Sequence, residues 1–92
     1  MILSFSCPDT EFLFNRKRIP RFANIERVAR RKLEQLDWAG RIDDLRIPPN
    51  NRLELLKGDR AGQYSIHIND QWRVCFRFLN GNAVDVEIVD YH

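Results

Sequence analysis

The chain has 92 residues, 43% hydrophobic and 30% charged, which is enough for one domain with a modest core and too few for two. The balance is that of a globular chain, and no apolar run approaches the roughly 20 residues that span a bilayer. Net charge is only +2, but eight basic residues (Arg16, Lys17, Arg18, Arg21, Arg27, Arg30, Arg31, Lys32) share positions 16–32 with a single acid, Glu26. Such a cationic stretch either serves a polyanion, of which nucleic acid is the commonest, or is a solvated helix face; charge alone leaves both open. Positions 1–5 lack the basic start and long apolar stretch of a signal peptide, so cytoplasmic residence is expected. Cys7 and Cys75 form no CxxC pair and, with two histidines, offer no zinc spacing. No metal, cofactor or disulfide framework is expected.

Positions 2–5 read as a short first strand, broken by Cys7-Pro8. Asp9 or Thr10 can cap a short helix running to Phe14, since a side-chain oxygen there can accept a free backbone N–H. The clearest helix covers about 22–37. Ile25, Val28, Ala29, Leu33 and Leu36 recur at spacings of three and four and share one face, with Arg27, Arg30, Arg31 and Glu34 off that stripe. Gly40 offers a stop, positions 43–45 one further turn, and positions 48–51 a loop.

Beyond this loop the period changes to two. Tyr64, Ile66 and Ile68 alternate with Gln63, Ser65 and His67; Trp72, Val74, Phe76 and Phe78 alternate with Arg73, Cys75 and Arg77. Asn69-Asp70 marks the first turn. Asn80-Gly81 marks the second, because both residues tolerate the positive φ of a type I′ hairpin. A last strand starts at Ala83. Three strands joined by tight turns make an antiparallel meander. With the short N-terminal strand and two N-terminal helices packed on one face, the expected class is α+β, one domain over 1–92.

Alternation turns Arg73 away from the apolar face. The turn Gly58-Asp59-Arg60-Ala61-Gly62 can bring Lys57 and Arg60 over the same side, where three cations would clamp a phosphate. Alternatively Arg60 and Arg73 pair with Asp59, Glu87 or Asp85 across strands, a common and weak arrangement. Asp90, Tyr91 and His92 close the last strand, and all three can take part in proton transfer or orient a reacting group. His67 reads as structural or a bystander.

Three stretches carry a specific resemblance: Lys57-Gly58-Asp59-Arg60 with its flanks, Trp72-Arg73-Val74 in its strand, and the terminal Asp90-Tyr91-His92. Together they are similar to the HigB/GraT toxins of the RelE/ParE toxin–antitoxin superfamily, along nearly the whole chain. The resemblance implies a RelE/ParE-like toxin domain and an endoribonuclease that cuts messenger RNA on the ribosome. It further implies silencing by a helix-turn-helix, HigA-like antitoxin, and contact with operator DNA only through that antitoxin. Lys57 and Arg73 match phosphate-contacting cations of the family, Asp90, Tyr91 and His92 its catalytic cluster, and Arg60 a basic turn position. Glu54 stands where some members carry a catalytic histidine; it can act as a base, balance Lys57, or slow the enzyme.

The expected chemistry is metal-independent attack of a ribose 2′-OH on the adjacent phosphate. Asp90 or Glu54 is the base, Lys57 and Arg73 stabilise the transition state, His92 protonates the leaving oxygen and Tyr91 positions the nucleotide. Arg27, Arg30 and Arg31 would grip RNA phosphates. Two rivals are a non-catalytic ParE-like toxin acting on DNA gyrase and an inactive RNA-binding or regulatory module of the same fold.

Overall fold

A computed structural model describes residues 1–91. Two helices, α1 (Pro8–Phe14) and α2 (Glu26–Trp38), pack on one face of a four-stranded sheet. The strands are β1 (Glu54–Leu55), β2 (Tyr64–His67), β3 (Trp72–Leu79) and β4 (Asn82–Asp90), in spatial order β1-β2-β3-β4, each antiparallel to its neighbours. The expected meander of three strands is present. Asn80 and Gly81 take φ of 52° and 80°, as the hairpin reading requires.

The core lies between helices and sheet. Ala29, Leu33 and Leu36 from α2 meet Ile66, Val74, Phe76, Val86 and Ile88 from the strands, with Leu13 and Phe22 closing one side. Trp72 adds an edge-on contact to Phe22, ring centroids 5.5 Å apart. These are the residues that the two periodicities place inward. The other face of the sheet therefore carries the alternate set: Ser65 and His67 on β2, Arg73 and Cys75 on β3, Glu87 and Val89 on β4.

Four local expectations need correction. The N-terminal segment forms isolated parallel bridges, Ile2 to Ala83 and Phe5 to Val86, rather than a strand. Two features interrupt the ladder. The Ile2 N–H is taken by the Asp37 carboxylate at 2.8 Å, and β4 bulges at Asp85, whose φ is 53°. At the bulge, Ser4 Oγ accepts the Asp85 N–H and Ser6 Oγ donates to its carbonyl.

Second, neither Asp9 nor Thr10 caps α1. Pro8 opens that helix, a position where its missing N–H costs nothing, after Cys7 as N-cap. Thr10 is buried instead, and its Oγ1 accepts the Ile88 N–H from β4. Asp9 pairs with Arg21 at 3.0 Å.

Third, α2 starts at Glu26 rather than 22, because Pro20–Phe22 forms a separate 3₁₀ turn. Fourth, the sheet has a strand that alternation did not announce: β1 is only two residues long, too short to show a period.

Lys32 departs furthest from its expected place. It is 4% exposed and leaves the cationic face altogether. Its Nζ donates to Asn51 Oδ1, while the Asn51 amide donates to Gln35 Oε1 and to the Leu45 carbonyl. Loss of water around the ammonium pulls the Lys32 pKa below its usual value, and the charge of Arg31 adds to the effect. Asn51→Leu removes the acceptor from this buried ammonium. We expect a loss of about 2–3 kcal/mol, the scale of a hydrogen bond to a charged group, measured as a lower midpoint in urea at unchanged slope. A midpoint equal to wild type would show that Lys32 reaches water in solution.

Candidate active site

The face of the sheet opposite the helices gathers the charged residues. Its organising group is Arg73. Val74 and Trp72 point into the core, so Arg73 points out from the start of β3. Its Nη1 donates to Glu54 Oε1 at 2.8 Å and to Ser65 Oγ at 3.1 Å. Its guanidinium carbon lies 4.7 Å from the centre of the Tyr91 ring, a cation–π stack. One arginine is thus held by β1, by β2 and by the residue that follows β4.

Register explains the constellation. Glu54 pairs with Ser65, Ser65 with Cys75, and Cys75 with Glu87, so one row crosses all four strands. In the neighbouring row His67 pairs with Arg73 and Arg73 with Val89. Arg73 leans from its own row onto the first. The Tyr91 N–H donates to the Gln71 carbonyl at 2.6 Å, which fixes Tyr91 although the strand has ended.

Asp90 lies at the end of β4, opposite Trp72 in register, and its Oδ2 accepts from Gln71 Nε2 at 3.1 Å. The turn that presents Gln71 is itself tied down. Asn69 Oδ1 accepts the backbone N–H of Gln71 and of Trp72, an Asx arrangement. His92 lies outside the described residues.

Arg60 reaches the same face from the 3₁₀ turn Gly58–Arg60, with Nη1 2.9 Å from Glu87 Oε1 and 3.0 Å from Gln63 Oε1. The Glu87 hydrogen bond raises the Arg60 pKa further, against the lowering by desolvation, and the Glu87 charge adds to the rise. Burial pushes the Cys75 thiol up, leaving it a neutral floor beneath these ions. Lys57 is exposed just before that turn; its carbonyl accepts the Arg60 N–H at 3.4 Å, and its ammonium has no hydrogen bond or ion pair among the described residues.

Of the expected site residues, then, Arg73 touches both Glu54 and Tyr91, and Arg60 shares their face. Asp90 is held at the strand end and Lys57 at the sheet margin. The cross-strand pairing expected for Arg60 is found with Glu87. Arg73 has a different partner from those expected, Glu54, and Glu54 balances Arg73 rather than Lys57.

Arg27, Arg30 and Arg31 stand apart. They line an open groove of about 610 Å³ with Arg16, Glu26 and Glu34, on the helix layer. Arg30 is committed within it: Nε donates to the Leu13 carbonyl, Nη2 to the Lys17 carbonyl, and Glu26 lies 3.1 Å away. It ties α2 to the end of α1. Arg27 and Arg31 are exposed.

Residues 12–92 match the family described as RelE-like toxin of type II toxin-antitoxin system HigB. The chain is 35% identical to Endoribonuclease HigB of Proteus vulgaris over 95 aligned positions, covering all of both proteins. It is 46% identical to Toxin HigB-1 of Vibrio cholerae over 63 residues, which span 68% of this chain and 66% of that toxin. Among solved structures, the YoeB-YefM complex from Staphylococcus aureus matches with a TM-score of 0.63 at 15% identity, over all of this chain and 98% of the other; that likeness concerns the fold. No described helix is long and apolar enough to cross a membrane. With the family match covering most of its length and a full-length relative above 30% identity, the chain belongs to the HigB-like toxins, RelE-like members of type II toxin–antitoxin systems.

Proposed function

We propose that this toxin is an endoribonuclease that cuts messenger RNA on the ribosome and is held silent by a HigA-like antitoxin. The observation that carries the reading is the Arg73 guanidinium, stacked on Tyr91 and gripped by Glu54 and Ser65 on the sheet face away from the core. A phosphate approaching this face meets a pre-oriented fork of donors, with Arg60 on the same face and Lys57 at the sheet margin to add charge. The full-length relative from Proteus vulgaris, named as an endoribonuclease, supports the same reaction class.

In the proposed reaction a ribose 2′-OH gives its proton to a carboxylate, Asp90 in the first instance. The freed oxygen attacks the adjacent phosphorus, and the bond from phosphorus to the 5′-oxygen breaks. His92 supplies the proton that leaves with that oxygen. The products are a 2′,3′-cyclic phosphate upstream and a 5′-hydroxyl downstream. Lys57 and Arg73 stabilise the charge that builds on the non-bridging oxygens. A domain of this size offers few base-edge contacts, so a ribosome that already splays the codon supplies the orientation. Arg27 and Arg31 have the exposure to meet ribosomal phosphates, and Arg30 holds the helix pair that presents them.

The test uses a message programmed on ribosomes with one 2′-deoxy nucleotide at the mapped cleavage position. Cleavage there should stop, while the unmodified message yields the cyclic phosphate end. Continued cutting at the 2′-deoxy position would refute the chemistry, since the nucleophile would be missing.

A further inference from the structure

His67 is a half-buried side chain that this mechanism does not use. It is the direct cross-strand partner of Arg73, so the two side chains leave the same face of the sheet about 5 Å apart at Cβ. Its Nδ1 is sealed from solvent and has no hydrogen-bond partner among the described residues. Around the ring lie the charges of Arg52, Arg73 and Lys32, opposed by Asp70. Burial, then Arg52 and Arg73, lower the His67 pKa below its usual 6.5, so the imidazole is neutral at physiological pH.

A neutral ring carries one proton. Placed on the sealed Nδ1 it would point at no acceptor, with cations as its surroundings. Placed on Nε2 it leaves a lone pair at Nδ1, which those same cations favour. The second arrangement is the cheaper one.

We propose that His67 is a substrate-contacting residue of this toxin, presenting Nε2–H beside Arg73 and Arg52 to a non-bridging oxygen of the phosphate that flanks the scissile one. The proposal rests on the ribonuclease reading above. It extends the phosphate site along β2 toward Arg52, which is exposed at φ 47° just before β1. The contact is made equally in ground and transition states. It therefore acts on binding rather than on the chemical step.

His67→Gln keeps an amide N–H near the position of Nε2–H, and His67→Leu removes the donor. On programmed ribosomes, His67→Leu should raise KM by about 10-fold with kcat nearly unchanged, and His67→Gln should restore most of the loss. Nitrogen NMR of the wild-type toxin should report the Nε2–H tautomer, and its Nε2 signal should move on adding a short 2′-O-methyl RNA that cannot be cut. This last measurement stands even if a variant fails to fold. An Nδ1–H tautomer, an Nε2 signal indifferent to RNA, or equal losses in the Leu and Gln variants would each overturn the proposal. A wild-type toxin that cuts no RNA would instead remove the ribonuclease reading, and this one with it.

Discussion

Arg73→Lys lowers the rate of RNA cleavage by about 10²–10³-fold, the cost of removing one oriented donor from a developing oxyanion. The charge is conserved in this substitution, so the loss measures geometry. Arg73 spends Nη1 on Glu54 and Ser65, which fixes the plane of the guanidinium. Tyr91 supports that plane from one side at 4.7 Å. A phosphate can then be met by the remaining N–H groups as a pre-set pair. A lysine ammonium is a hydrated point charge on a flexible stem; it neither stacks flat on Tyr91 nor offers a fork. Single-turnover cleavage at saturating toxin isolates the effect from binding. A Lys variant within a few-fold of wild type would mean that a positive charge anywhere near this position suffices, and the held geometry would lose its catalytic meaning.

Much of this arrangement could be read from the chain. Alternation separated Arg73 from Trp72, Val74 and Phe76, and the structure places it on the predicted face. Asn80-Gly81 gave the hairpin, and the spacing from Ile25 to Leu36 gave the core face of α2. What escaped has a common cause, because it depends on contacts between segments whose local pattern is weak. β1 has two residues, so no period marked it, and without β1 nothing placed Glu54 beside Arg73. Lys32 carries the charge of a surface residue, yet it lies next to Leu33 and Leu36 on a helix that 3₁₀ turns at 42–46 and 49–51 cover from outside. Its partner Asn51 sits in a segment that the sequence marks only as a loop. The helix cap failed for a related reason: Thr10 has the chemistry of a cap, and β4 claimed its hydroxyl.

The same contacts decide between two candidate bases. Asp90→Asn should cost about 10²–10⁴-fold in the chemical step, the usual range for a general base, and Glu54→Gln about 10-fold or less. Glu54 already commits Oε1 to Arg73 at 2.8 Å, in an ion pair whose geometry orients the guanidinium. A proton taken by Glu54 would weaken that pair at the moment Arg73 is needed most. Glutamine retains a carbonyl oxygen for the Nη1 donor, so the fork survives the substitution in weakened form. Asp90 is differently placed: the Gln71 amide fixes the direction of one oxygen, and that turn is held in turn by Asn69 and by the Tyr91 N–H. An amide donor orients a carboxylate oxygen and brings no charge of its own to it. The two variants are compared by single-turnover cleavage of the same programmed message. If Glu54→Gln proves the more damaging, the base is Glu54, and Asp90 serves to anchor the end of β4 against the Gln71 turn.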